Sequence, residues 1–190
     1  SSRFGPDNKY GYFYSGSAAW NIAKENFMDG SVFDDLKLRA SYGTAGNQSI
    51  GNFEFLNLLG FGTYNGFTTA IPLGVGNPEI QWESQAILDI GLEFGLFNNR
   101  ITGVVDYFEK SSQDLLLNRP ISQIIGDEDN SILSNIGEIS NSGIEVSLNA
   151  NVIRNEDIIW TVGGNVAFID NEVKSLVDGE DIIRGNTILR

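Results

Sequence analysis

The longest regular pattern in the chain is an alternation of apolar and polar positions over residues 79–96. Apolar side chains occupy most even positions from Ile80 to Leu96, and polar side chains such as Glu83 and Glu93 occupy most odd positions. A period of two predicts a β-strand, because successive side chains of a strand point to opposite faces. At about 3.3 Å per residue this segment would span roughly 60 Å, whereas strands of soluble proteins usually contain about 5–6 residues.

Other parts of the chain repeat this pattern and are joined by links of unequal length. The further alternating segments are residues 12–23, 36–44, 100–110, 143–152 and 158–168. The links are short at 97–100 and 153–157, intermediate at 24–35, and long at 45–78 and 113–135. Alternating short turns and long loops are typical of outer-membrane barrels. We therefore predict an all-β fold, an antiparallel transmembrane β-barrel segment of about six long strands.

A bilayer gives this pattern a physical reason. The hydrocarbon core has no water to satisfy backbone N–H and C=O groups, so a sheet crosses it only as a closed barrel. A basic residue facing lipid at the midplane would cost about 2–4 kcal/mol, so the polar face should line the lumen. The predicted lumen-lining residues are Lys37, Arg39, Glu83, Asp89, Glu93, Asp106 and Glu145. Aromatic residues on the apolar faces, Trp20, Trp82 and Trp160, are predicted to lie at the membrane interfaces.

Six strands are too few for a complete barrel of this kind, because the smallest natural single-chain examples have about eight. An open sheet with one apolar face would also leave two unpaired edges. We therefore expect residues 1–190 to be part of a larger barrel. The alternative that strand length disfavours is a soluble β-sandwich, in which the same aromatic residues would lie in a core.

Composition excludes several classes of function. The chain has 190 residues, a formal net charge of −13, and neither histidine nor cysteine. Triads with a catalytic histidine, thiol chemistry and cysteine or histidine zinc sites are therefore excluded. The acidic balance argues against nucleic acid as a partner. We expect no enzyme activity and no cofactor.

The first long link combines aromatic, glycine and asparagine residues. Aromatic rings can stack on the apolar faces of sugars, and amides can bind their hydroxyl groups. The predicted substrate-binding residues are Phe53, Phe55, Phe61, Tyr64 and Phe67. The alternative is a loop that packs on itself or on a partner protein. In the second long link, the acidic run 127–129 lacks the spacing of a calcium loop and is read as a solvated loop tip, so no metal site is expected.

A set of short motifs, in order along the chain, carries a family resemblance. They include Ser1-Ser2-Arg3-Phe4-Gly5, Leu36-Lys37-Leu38-Arg39-Ala40-Ser41-Tyr42-Gly43, Asn77-Pro78-Glu79-Ile80-Gln81-Trp82-Glu83, Gly91-Leu92-Glu93-Phe94, Asn135-Ile136-Gly137-Glu138 and Asn141-Ser142-Gly143-Ile144-Glu145. Through nearly its whole length, the chain resembles the C-terminal barrel of SusC/RagA-type TonB-dependent outer-membrane receptors of Bacteroidetes.

The resemblance implies a 22-stranded barrel in the cell outer membrane, with an N-terminal plug domain and a TonB box that residues 1–190 do not contain. It implies energy coupling through the TonB–ExbB–ExbD system and a SusD-like surface lipoprotein at the external mouth. It also implies an oligosaccharide substrate, or a peptide in some members. We therefore predict active import of a nutrient. The alternatives are a passive porin or adhesin barrel and a soluble carbohydrate-binding β-sandwich.

Overall fold

The structure, a computed structural model, describes residues 1, 3–122, 131–176, 182–184 and 187–189. Its strands are β1 Ser15–Asn21, β2 Phe33–Asn47, β3 Leu58–Tyr64, β4 Phe67–Gly74, β5 Glu83–Leu96, β6 Ile101–Gln113, β7 Leu116–Pro120, β8 Ser131–Asn135, β9 Glu138–Arg154, β10 Ile159–Ser175, β11 Ile182–Arg184 and β12 Thr187–Leu189. Two 3₁₀ helices, Ile22–Lys24 and Asn26–Met28, lie in the intermediate link. Within the described ranges, no helix has the length and hydrophobicity needed to span a membrane.

The six long strands form one antiparallel sheet in the order β1-β2-β5-β6-β9-β10. This confirms the predicted number and antiparallel direction of the long strands. The sheet does not close on itself, because β1 and β10 are its two edges. The long links contain hairpins that the sequence pattern did not predict, with β3 paired to β4 in the first link and β7 paired to β8 in the second.

The register places the alternating apolar positions side by side on one face of the sheet. One row across five strands reads Ala40, Ile90, Tyr107, Ile144 and Phe168. The side chains of this face are well exposed: Ile90 at 40%, Ile144 at 46% and Phe168 at 67%. Nothing in the described part of the chain therefore covers this face, as a second sheet would in a β-sandwich.

The prediction of a single strand over residues 79–96 is wrong at its N-terminal end, because β5 begins at Glu83. The Asn77 side chain accepts a hydrogen bond from the Glu79 N–H at 3.0 Å, and the Ile80 N–H donates to the Asn77 carbonyl at 3.2 Å. These two bonds form a turn before the strand. Ile80 fits the alternation although it is not part of the strand. It is apolar because it is fully buried among loop residues. Similarly, β1 begins at Ser15 rather than at residue 12.

The short links are tight turns, as their asparagine content predicts. Asn98 and Asn99 have φ angles of 58° and 55°, values in the left-handed region that asparagine tolerates better than most residues. In the second short link, the Asn155 side-chain oxygen accepts hydrogen bonds from the N–H groups of Asp157 and Ile158, at 3.1 and 2.7 Å. Both turns lie at the same end of the sheet.

A small hydrophobic core lies at the opposite end, where the long links leave the sheet. Phe4 and Ile80 are completely buried and Ile50 is 7% exposed. The side chains packed around these three are Phe55, Trp82, Leu116 and Leu133. We call these seven residues the loop core. It joins the N-terminal segment to both long links.

Candidate functional site

The polar face of the sheet carries a network of ion pairs centred on one arginine of β2. The Arg39 guanidinium contacts Asp89 at 2.8 Å and Glu93 at 3.3 Å, and also forms a short ion pair with Asp106. Lys37 contacts Glu93 at 3.6 Å. We call these five residues the Arg39 cluster. Their side chains are between one fifth and two fifths exposed, so the cluster lies on the surface of the sheet and remains in contact with solvent.

A glycine allows this cluster to form across three strands. Gly91 of β5 lies between Arg39 of β2 and Asp106 of β6 in the register. A Cβ atom at Gly91 would lie 2.6 Å from Arg39 Nε and would also collide with the Asp106 carboxylate. The Arg39 guanidinium therefore passes directly above Gly91 to reach Asp106. A larger side chain at position 91 would occupy that space.

The structure brings five of the seven predicted lumen-lining residues into this cluster. Glu145 lies opposite Asp106 on β9 but belongs to none of the observed ion pairs. Glu83 lies away from the cluster at the start of β5, where its carboxylate accepts a hydrogen bond from the Asn47 amide at 3.4 Å. All seven lie on the polar side of the strand pattern, and their role in lining a lumen stays a prediction.

Two of the three predicted interface tryptophans lie on the apolar face near the short-turn end. Trp20, near the end of β1, is 49% exposed, and Trp160, near the start of β10, is 53% exposed. The placement of Trp82 on the same strand face is wrong. Trp82 precedes β5 and packs against Phe4 and Phe13, with ring centroids 5.1 and 5.8 Å apart, so it belongs to the loop core.

The predicted substrate-binding aromatics do not form one cluster. Phe55 is part of the loop core. Phe61 and Phe67 are 87% and 75% exposed, and the register places them on opposite faces of the β3–β4 hairpin. Tyr64 ends β3 opposite Phe67. Phe53 lines a cavity between the two long links.

This cavity, which we call the loop cavity, has a volume of about 290 Å³. It lies between the first long link and the β7–β8 hairpin of the second. Its lining residues are Asn52, Phe53, Glu54, Leu56, Leu58, Gly74, Val75, Gly76, Asn118, Ser131 and Leu133. Sequence reasoning missed Asn118 and Ser131, because no pattern along the chain indicates which loop residues meet in space. The acidic run 127–129 lies outside the described residues, and the described part of the chain contains no cluster of metal-ligating side chains.

Two asparagine side chains hold the bases of the two long links together. The Gln81 N–H donates to the Asn135 side-chain oxygen at 2.8 Å, and the Asn135 amide donates to the carbonyls of Gln81 at 2.8 Å and Asp114 at 3.0 Å. The Asn77 amide adds a bond to the Leu133 carbonyl at 3.0 Å. Asn77 and Asn135 both belong to the short motifs noted in the sequence, and here those motifs meet.

A long antiparallel meander with one bare apolar face, one charged face and extended loops at one end is the wall of a transmembrane β-barrel. The family described as TonB dependent receptor-like, beta-barrel matches residues 1–189. The chain belongs to this family, and its strands form part of an outer-membrane barrel.

Several known proteins support this assignment. The chain is 38% identical to TonB-dependent receptor P3 of Formosa agariphila over 96% of its length, and 37% identical to TonB-dependent receptor SusC of Bacteroides thetaiotaomicron over 95%. It covers 18% and 19% of those two proteins. A solved structure of the RagAB peptide transporter superposes with a TM-score of 0.83 at 31% identity, over 98% of this chain and 21% of that one. The chain thus spans about a fifth of the length of the proteins it matches.

Proposed function

We propose that this chain is part of the wall of a TonB-dependent receptor that actively imports a nutrient, an oligosaccharide, across the outer membrane. The observation that carries the proposal is the family match over residues 1–189, together with a sheet whose apolar face is left bare. Import would be driven by the TonB–ExbB–ExbD system through a plug domain and a TonB box. A SusD-like lipoprotein would cover the external mouth.

The wall has the properties that such a transporter needs. Between its two edges, the backbone groups of the sheet are paired strand to strand, and the edge strands β1 and β10 would pair with further strands of the closed barrel, which is the condition for crossing hydrocarbon. From Ala86 to Leu96 the apolar positions of β5 extend roughly 33 Å along the strand at about 3.3 Å per residue, which at a tilt of about 40° rises about 25 Å, the height of the apolar band of such barrels. The opposite face offers charged groups to a polar passage.

The substrate class is supported by the chemistry of the long links. At the loop cavity, the exposed Phe53 ring and the amide side chains of Asn52 and Asn118 line the same space, a combination suited to sugars. A peptide is the second candidate, because the RagAB structures, which superpose closely on this chain, are described as a peptide transporter and peptide importer.

The proposal is tested by uptake in the source bacterium, with the full-length gene deleted and then restored. Restored cells should accumulate labelled neutral hexasaccharide against a gradient, and deletion of tonB or addition of a protonophore should abolish accumulation. Uptake of labelled casein peptides in place of sugar would replace the oligosaccharide with the second candidate. Entry that persists without TonB would overturn active import and favour a passive porin.

A further inference from the structure

We propose that the loop cavity is a subsite for one neutral sugar ring, with Phe53 as the surface on which the ring stacks. This inference rests on the proposed function and names the part of the loops that recognises the substrate. The volume of about 290 Å³ is at the lower limit of small-molecule pockets, which run from roughly 300 to 1,000 Å³. It is suited to a single unit of a longer chain.

Phe53 is presented to solvent by a fixed turn. The residue is 57% exposed and has a φ of 68°, a conformation uncommon for a bulky side chain. The Leu56 N–H donates to the Phe53 carbonyl at 2.9 Å, and the Asn77 N–H donates to the Glu54 carbonyl at 2.9 Å. Two residues further on, Phe55 is part of the loop core, so this turn directs one ring inward and leaves the other exposed at the cavity.

The cavity also offers amide groups with unused hydrogen-bonding capacity. Within the described part of the chain, the side chains of Asn52 and Asn118 form no hydrogen bond, although both line the cavity. Asn57 nearby differs, because its side-chain oxygen accepts a bond from the Gly76 N–H at 2.9 Å and thereby supports the loop. Each free amide can donate to one sugar hydroxyl and accept from another.

The charge of the lining indicates a neutral ligand. Among the described residues that line the cavity, Glu54 is the single charged side chain, and no lysine or arginine is present. A uronate or sulfated sugar would meet this carboxylate without a cationic partner, and the chain as a whole carries a net charge of −13. Like charges brought close together in a partly desolvated site repel each other.

The test uses the full-length receptor, purified in detergent and titrated calorimetrically. The probes are malto-, cello-, xylo- and laminarihexaose, a galacturonate hexamer and a casein peptide digest. Phe53→Gly removes the ring while its backbone suits the observed φ, so folding should be retained. We expect Phe53→Gly and Asn118→Ala each to weaken binding of the preferred neutral hexasaccharide about tenfold, and Phe53→Trp to preserve it. Leu59→Ala, an exposed apolar residue of the same link outside the cavity, should bind like the wild type.

The outcomes separate this inference from the proposed function. If the wild type binds a neutral hexasaccharide and the cavity variants bind it equally well, the subsite is wrong while the oligosaccharide receptor stands. If the wild type binds peptides alone, the galacturonate hexamer alone or none of the probes, the neutral-sugar assignment is wrong. TonB-dependent uptake then decides separately whether the protein is an importer.

Discussion

The six-stranded sheet and the loop end of this molecule are stabilised in different ways. In the loop core, large side chains are removed from solvent, and Phe4 and Ile80 are completely buried. In the sheet, the buried positions among the described residues are Gly91, Gly95, Gly103 and Ser112. The sheet therefore has no hydrophobic core of its own. It depends on strand pairing and on lipid at its apolar face, whereas the loop end packs like a small soluble domain.

The comparison is tested most strongly at the loop core. Phe4→Ala should destabilise the loop end by about 3–5 kcal/mol, because a fully buried aromatic side chain leaves a cavity. Hydrogen exchange in the full-length receptor should show faster exchange at the Ile50 and Ile80 amides, with strands β5 and β6 still protected. Phe61→Ala, at an exposed phenylalanine of the β3–β4 hairpin outside the loop core, is the control and should change the exchange of neither region. If the strands lose protection together with the loops, the two regions are one cooperative unit and the comparison fails.

The next largest effect is a difference in stability between substitutions on the two faces of the sheet. Ile87 and Ile90 belong to the same strand with similar exposure, 42% and 40%, but they lie on opposite faces. Ile90→Arg should destabilise the barrel in lipid vesicles by about 2–4 kcal/mol, because the charge would face hydrocarbon. Ile87→Arg should have little effect, since it adds a charge to the polar face. Urea unfolding of the full-length receptor measures both, and equal losses would contradict the assignment of the faces.

The smallest effect concerns the Arg39 cluster. Gly91→Ala places a methyl group where the guanidinium crosses β5, so Arg39 must shift and its contact with Asp106 should lengthen. We expect a loss of about 1 kcal/mol, since the displaced groups are flexible side chains that stay partly solvated. Gly16→Ala is the matched control, because a Cβ there has no neighbour within 4 Å. The measurement is the urea midpoint, and an unchanged midpoint for Gly91→Ala would mean that the cluster adjusts without cost.

The long strands could be predicted from the sequence because each one has an apolar face and a polar face along its length. The alternation from Ser84 to Leu96 therefore reports the two faces directly, and the register confirms it. At Ile80 and Trp82 the same alternation is misleading. There, burial is provided by Phe4, far away in the chain, and residues in a loop core follow no fixed period.

The candidate site could be predicted only in part for the same reason. The alternation along each strand predicts that the charged residues of the Arg39 cluster share one face. It does not predict that Arg39 crosses Gly91 to reach Asp106, because that depends on which residues lie opposite each other in neighbouring strands. Phe53 was identified by composition, whereas Asn118 was not, because it reaches the loop cavity through the fold of a different link.

The Asn135 amide fixes the bases of the long links, where they join the sheet, and leaves the β3–β4 hairpin outside this anchor. It holds the first link at Gln81 and the second at Asp114, close to where both enter the sheet. Changes in the β3–β4 hairpin, which lies beyond both these anchor points and the loop core, should leave the spacing of the sheet strands unaltered. Over evolutionary time, one and the same sheet can therefore carry very different outer hairpins.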